Sequence, residues 1–266
     1  MDTISIIGYV SAVVIGLVLG LIGGGGSILT VPVFVYLFHI DPVTATAYSL
    51  FLVGLTSLVG TVRNLRQKKV AVKTAVIFSI PAFLTVYATR AFVIPALPEV
   101  LIAYKQFEVS KDLFIMLVFA LIMLFSSVSM IRSKITKENE DKVVHNRSFW
   151  IVVEGTVVGF LTGLVGAGGG FLIIPALVLL AKLPMKQAVA TSLLIITVKS
   201  LIGFLGDVQN SVIDWNFLLF FSALSVVGIF IGQFLGQRIK GERLKQLFGW
   251  FVLIMGGFIL YKELIA

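Results

Sequence analysis

Gly20-Leu21-Ile22-Gly23-Gly24-Gly25-Gly26 and Gly163-Leu164-Val165-Gly166-Ala167-Gly168-Gly169 are one motif written twice, 143 residues apart. At the same shift Pro32 falls on Pro175, Ser49-Leu50 on Ser192-Leu193, and Ser57-Leu58-Val59-Gly60 on Ser200-Leu201-Ile202-Gly203. Residues 16–60 align on 159–203 without a gap, with 17 identities in 45 positions. A composition rich in Leu and Val produces some of these matches. It does not produce a glycine cluster and a proline in one register, so the chain reads as an internal duplication.

Both clusters interrupt apolar sequence. A membrane-crossing helix needs about 20 apolar residues. Runs near that length lie at 4–22, 43–62, 73–94, 112–132, 149–166, 186–206, 215–236 and 246–264. Two shorter runs, 27–39 and 170–182, each follow directly on a glycine cluster. The runs have no polar face, so they are expected in lipid or in a bundle core. The composition agrees: 58% of the 266 residues are hydrophobic and 13% charged, with a mean hydropathy of +1.07. A soluble domain carries about 25% charged residues, and half that cannot cover a globule of this size in water. A soluble globular protein, a disordered chain and a fibre are excluded. The expected fold is all-α, a polytopic membrane protein with about eight full spans and two short helices. It divides into a first transmembrane repeat, 1–132, a linker, 133–148, and a second repeat, 149–266. Met1-Asp2-Thr3 offers no basic start of a cleaved signal peptide, so the first run is expected to stay in the mature protein.

The charges orient these runs. Arg63, Arg66, Lys68 and Lys69 follow the second long run, and the counterpart loop of the other half, 207–214, has no Lys or Arg. Further basic loops lie at 132–147 and at 237–245, the latter with Arg238, Lys240, Arg243 and Lys245. Basic loops stay in the cytoplasm. Segments 63–69, 132–147 and 237–245 are therefore expected inside, and 95–111 and 207–214 outside. Equivalent loops then lie on opposite sides, which makes an inverted-topology repeat with both termini on the outer side. The net charge of +8 reflects this anchoring rather than nucleic-acid binding.

A chain break inside hydrocarbon leaves backbone groups unpaired, and it survives only when buried in protein or lining a polar cavity. Two breaks at matching places in inverted halves point to a transporter's central site. Glycine lets backbone approach a ligand with no side chain in between, and a helix N-terminus favours an anion. Gly23, Gly24, Gly25, Gly26 and Ser27, with Gly166, Gly168, Gly169 and Gly170, are therefore candidate substrate-binding residues. The bland alternative is that they only allow close helix packing. The runs that follow carry Thr44, Thr46, Ser49, Thr56 and Ser57 in one half and Thr191, Ser192, Thr197, Lys199 and Ser200 in the other. Ser49, Thr191 and Ser192 are the candidate hydroxyl ligands, although such side chains often bond back to their own helix. Lys199 sits mid-run, where a charge costs at least about 2.5–3.5 kcal/mol. It is expected to face the interior as a counter-charge to an anion. Glu154 lies near the inner end of its run, and Arg90 near an outer end, where it can snorkel.

With no Cys and only His39 and His145, there is no thiolate metal site, no thiol nucleophile and no histidine cluster. No HExxH, no paired intramembrane Asp and no Ser with a nearby His appears. The expectation is no enzyme activity, no catalytic residue, no cofactor and no metal.

The duplicated Gly-Leu-x-Gly-x-Gly-Gly cluster leading to Pro32 and Pro175, the Ala45-Thr46-Ala47-Tyr48-Ser49 and Ala188-Val189-Ala190-Thr191-Ser192 strings, and Val212-Ile213-Asp214-Trp215 together resemble the sulfite exporter TauE/SafE family. The resemblance covers nearly the whole chain, though the first half lacks an Asp-Trp pair at the matching point. It implies a bacterial inner-membrane permease for sulfite, sulfonates or other small organosulfur compounds. The implied partners are a small anionic substrate and membrane lipid, with no nucleic acid, in a monomer or an oligomer. The leading reading is a secondary transporter moving a small anion by alternating access. The sequence also admits a passive anion channel, and less readily a membrane-embedded enzyme.

Overall fold

The computed structural model describes residues 3–24, 26–40, 42–93, 96, 98, 100–104, 107–132, 147–165, 170–207 and 213–265. Gly25, Gly166, Gly168, Gly169, the linker 133–146 and loop positions 208–212 lie outside the described residues, as does the side chain of Ser27.

The apolar runs are helices. In chain order they are α1 (Thr3–Ile22), the short α2 (Gly26–Pro32), α3 (Pro42–Arg66), α4 (Val72–Ala88), α5 (Lys111–Arg132), α6 (Arg147–Val165), the short α7 (Gly170–Pro175), α8 (Met185–Asp207), α9 (Trp215–Arg238) and α10 (Gly241–Ile265). Between α4 and α5 the described residues form a hairpin. Strand β1 (Val100–Tyr104) pairs antiparallel with β2 (Phe107–Ser110). This β-branched and aromatic stretch lies in what the sequence marks only as an outer loop. By length and composition α8, α9 and α10 are apolar enough to cross a membrane. Phe92, Phe125, Leu205 and Ile254 stand more than half exposed on the bundle surface, an apolar exterior that suits lipid and not water.

The two short helices end alike. A proline closes each, because it lacks an N–H and crowds the carbonyl four residues back. Each then widens into a π-helical turn, Val33–Leu37 and Ala176–Leu180. Phe38 N–H donates to the Val33 carbonyl and Ile40 N–H to Phe34; Ala181 N–H donates to Ala176 and Leu183 N–H to Leu177. His39 and Lys182 then take left-handed backbone, at φ 53° and 51°. Every one of these pairs is related by the shift of 143 residues, so the duplication extends to backbone geometry.

The most extensive helix interfaces join the two halves: α1 with α9, α4 with α6, α5 with α10 and α3 with α8. Small residues set the first two. The place of a Gly16 β-carbon is taken by the Ser225 carbonyl, that of Gly20 by Ile229, that of Gly228 by Val13 and that of Gly232 by Leu17. Numbers rise together, so α1 and α9 run parallel at backbone contact, as small residues allow in membranes. Gly159 abuts the Ala82 carbonyl, which is the Gly16–Ser225 contact moved by the repeat shift. In contrast, Gly54 meets Leu201 while Gly60 meets Leu193, and Gly249 meets Ile131 while Gly256 meets Met123. Those two pairs, α3 with α8 and α5 with α10, run antiparallel.

Candidate functional site

The first glycine break packs against the start of α7. Gly23 closes α1, with its N–H donating to the Leu19 carbonyl at 2.8 Å. Its φ of +85° is open to glycine and strained for other residues. A β-carbon there would lie 2.7 Å from Ser192 Oγ and 3.0 Å from the Val189 carbonyl oxygen of α8. Gly24 and Gly26 are buried beside it. On the other side Gly170, also buried, opens α7, and its β-carbon position lies 3.1 Å from the Gly24 carbonyl oxygen. Gly24 thus lies against the first residue of α7, and α2 packs on α7.

The candidate side chains divide around this junction. Ser49 and Ser192 are buried on α3 and α8. Ser192 donates its hydroxyl hydrogen to the Val189 carbonyl at 2.9 Å, within its own helix. Thr191 accepts the backbone N–H of Ala71 at 3.0 Å, at the start of α4, which leaves its hydrogen for another acceptor. Lys199 is half-buried and its Nζ donates to Thr162 Oγ1 at 3.2 Å. Thr162 stands at the end of α6, directly before the second glycine cluster. The lysine therefore points inward toward that cluster, as its depth in the run demands. Glu154 is buried on α6.

Polar residues near the basic end of the bundle escaped the sequence reading. A crevice of about 420 Å³, counted out to its open mouth, is lined by Asn64, Lys69, Lys186, Gln233 and Gln237 together with Gly20 and Gly236. Lys186 Nζ donates to the Gln237 carbonyl at 2.9 Å. Gln233 is buried, and its Nε2 donates to the Gly60 carbonyl at 3.0 Å. The signal was present: Gln233 is a polar side chain inside the apolar run 215–236, near its end, the kind of residue that marks a path or a contact in a membrane helix. Val189, which touches Gly23, also lines this crevice, so the space leads from the basic end toward the first break.

The opposite end is filled with rings. Phe34 packs on Tyr48, Phe217 and Phe221 at centroid distances of 5.9, 6.0 and 5.0 Å. Phe38 joins Phe217 and Phe221 at 4.9 and 5.7 Å. The Tyr48 hydroxyl accepts the backbone N–H of Asp214 at 2.6 Å, and the Asp214 carboxylate caps α9 by accepting from Phe217 N–H at 3.0 Å.

Among the described residues no group of His, Cys, Asp and Glu could hold a metal ion. An apolar helical bundle with a glycine break buried against α7, a charged crevice at one end and a cluster of rings at the other suits a membrane transporter. The chain belongs to the sulfite exporter TauE/SafE family, whose model matches residues 9–259. It is 26% identical to a "probable membrane transporter protein" of Xylella fastidiosa over 94% of this chain and 92% of that one. It is likewise 26% identical to the "probable membrane transporter protein YunE" of Bacillus subtilis, over 97% and 99%. A Methanocaldococcus jannaschii protein of the same description is 23% identical over 93% and 94%. No solved structure matches the chain.

Proposed function

We propose that this protein is a secondary transporter that exports a small anion by alternating access, the anion being sulfite, a sulfonate or a related organosulfur anion. The observation that carries the reading is the junction of the two breaks, Gly24 against Gly170, in a chain of this family. Unwound backbone at membrane depth suits an ion site. In this reading the anion sits at the junction. Gly23, Gly24, Gly25, Gly26 and Ser27 border it from one half, and Gly166, Gly168, Gly169 and Gly170 from the other. Ser49, Thr191 and Ser192 flank it and Lys199 supplies the counter-charge.

The orientation follows from the basic segments. With 63–69, 132–147 and 237–245 in the cytoplasm, there are eight full spans, the repeat is inverted and both termini lie outside. The antiparallel courses of α3 against α8 and of α5 against α10, each pair holding equivalent places in the two repeats, support an inverted arrangement. The crevice then opens to the cytoplasm and the aromatic plug closes the outer end. A path open at one end only favours a carrier over a channel. A membrane potential of 100 mV favours the exit of one negative charge by about 2.3 kcal/mol, roughly 50-fold, so export in a bacterial inner membrane needs no coupling ion.

The test is flux from proteoliposomes loaded with sulfite or ethanesulfonate under an imposed potential. Saturable, potential-dependent efflux is expected. Efflux equal to that of empty liposomes overturns the proposal, and single-channel current would replace the carrier with a channel.

A further inference from the structure

Buried hydroxyls in this bundle are mostly discharged onto their own helices. Thr30, Thr85, Thr89 and Ser127 each donate to a carbonyl three or four residues back, at 2.7 Å, as such side chains do in membrane helices. Four do not. Thr56 and Ser57 on α3 and Ser222 and Ser225 on α9 are fully buried, and their hydroxyls have no hydrogen-bond partner among the described residues. A buried polar atom without a partner calls for an explanation, such as an ion or water in the working protein.

The four lie at similar depth on two helices that are in contact. Tyr48 meets Phe217, and Gly60 meets Ile229 and Gln233. The step along α3 from Tyr48 to Gly60 equals the step along α9 from Phe217 to Ile229, so the helices run parallel in register. That register sets Thr56 level with Ser225, with Ser222 one turn nearer the aromatic plug. At the other end the seam reaches Gln233, whose buried Oε1 also lacks a partner among the described residues and which lines the crevice. The seam therefore spans the distance between crevice and plug. Lys69 and Lys186 stand at its mouth, and among the described residues no carboxylate lines the crevice. Hydroxyls can donate to an anion or accept from a cation, and the two lysines decide the sign.

We propose that the seam between α3 and α9 is the route of the substrate, an anion that Thr56, Ser57, Ser222 and Ser225 receive as uncharged hydrogen-bond donors after it enters past Lys69 and Lys186. This rests on the transport reading above and adds the path. The seam is closed in this conformation and parts as the crevice deepens. Neutral donors bind an anion without holding it as a buried lysine would, which suits a site the ion must leave.

The chain is free of cysteine, so Thr56→Cys and Ser222→Cys can be read without background. Each variant, reconstituted as the full chain and eluting like the parent protein, is treated with the anionic sulfonatoethyl and the cationic trimethylammonioethyl methanethiosulfonate, with rates normalised to a free thiol. Both positions are expected to react, the anionic reagent faster by roughly tenfold or more, as a positive mouth dictates. Ethanesulfonate is expected to slow the reaction. Ser127→Cys, buried on α5 with its native hydroxyl satisfied, is expected to stay unmodified. If Ser222→Cys does not fold, Ser225→Cys carries the same expectation. Efflux of sulfite from the parent protein with neither cysteine modified, or faster modification by the cationic reagent, overturns the route and leaves the transport reading standing. Modification as expected without any anion flux overturns the transport reading instead.

Discussion

The Tyr48 hydroxyl accepts the backbone N–H of Asp214 at 2.6 Å, and the residues one repeat away make the same bond, Thr191 accepting the N–H of Ala71 at 3.0 Å. Each bond ties the second long helix of one half to the start of the third long helix in the other. The chemistry around the two joints differs. Phe34, Phe38, Phe217 and Phe221 crowd the tyrosine joint, whereas their repeat equivalents are Leu177, Ala181, Thr74 and Phe78. The bulky joint is shut, and the lean one lies at the end that carries the crevice. The two equivalent joints of a duplicated chain thus differ in the size of the side chains around them.

If the tyrosine joint holds the outer end closed, Tyr48→Phe should loosen it. The lost hydrogen bond is worth about 0.5–1.5 kcal/mol, roughly a two- to tenfold shift toward the outward-open state. A cysteine at Ser222, just inside the plug, should then react faster with an impermeant thiol reagent applied from outside. An unchanged outside rate would mean that the rings alone close this end.

The parallel contact of α1 with α9 makes a stability prediction. Gly16→Ala drives a methyl group into the Ser225 carbonyl, and overpacking of this kind costs about 1–3 kcal/mol. Gly257→Ala, with nothing within 4 Å of its β-carbon position, should be neutral or slightly stabilising through helix propensity. Thermal unfolding followed by size-exclusion chromatography in detergent reads both. Equal melting temperatures for the two variants would show that the helices separate more easily than their backbone contact implies.

Gly23 combines two obstacles, its left-handed backbone and the nearness of Ser192. Gly23→Ala should abolish transport while the protein still inserts, since a left-handed alanine costs about 1–2 kcal/mol and its methyl group meets Ser192 Oγ. Adding Ser192→Ala removes the hydroxyl but leaves the backbone strain and the Val189 carbonyl, so rescue should be partial at most. Full recovery in the double variant would assign the glycine to simple packing.

Side assignment is tested by single cysteines. Lys68→Cys should be labelled only from the cytoplasm and Asn210→Cys only from outside, as the loop charges require. Labelling of Asn210→Cys from the cytoplasm alone would overturn the inverted repeat.

The helices were legible in the sequence because lipid demands long apolar runs: α1 at 3–22 and α8 at 185–207 fall within two residues of the runs read at 4–22 and 186–206. The first break was legible in Gly23 to Gly26, and the common ending of the two short helices in the recurrence of Pro32 as Pro175. Partners were not. Nothing along the chain tells Gly16 that it faces Ser225, because the contact joins distant helices through backbone atoms that every residue owns. The hairpin at 100–110 was missed because its strands are shorter than any membrane element and sit between two long runs. Thr191 was read beside Ser192 as a ligand, yet its lone pair serves Ala71 across the bundle. Asn64 and Gln233, walls of the crevice, were passed over because each is a single polar residue near the end of an apolar run.

Lys199 brings sequence and structure together. A lysine mid-run must be compensated, and its own helix holds no carboxylate before Asp207 at its last position. Its Nζ reaches Thr162 Oγ1 at 3.2 Å, next to the second glycine cluster, and that hydroxyl in turn donates to the Gly159 carbonyl at 3.2 Å. The threonine holds the ammonium group against α6, and in the transport reading its charge faces the anion at the junction. If it does so, Lys199→Met should weaken substrate binding by about 1.5–3 kcal/mol, the worth of a charge-assisted hydrogen bond, or roughly 10- to 150-fold in Kd. Lys199→Arg should restore only part of this, because a planar guanidinium is larger and fits a different geometry. Thr162→Val keeps the charge and removes its support, so it should cost less than Lys199→Met and leave the response to membrane potential intact. Binding of sulfite and ethanesulfonate to the purified variants, compared with their thermal stability, separates the roles. Unchanged affinity in Lys199→Met with a lowered melting temperature would make the lysine a structural tie between α8 and α6, and the anion would then rest on backbone and hydroxyl donors alone.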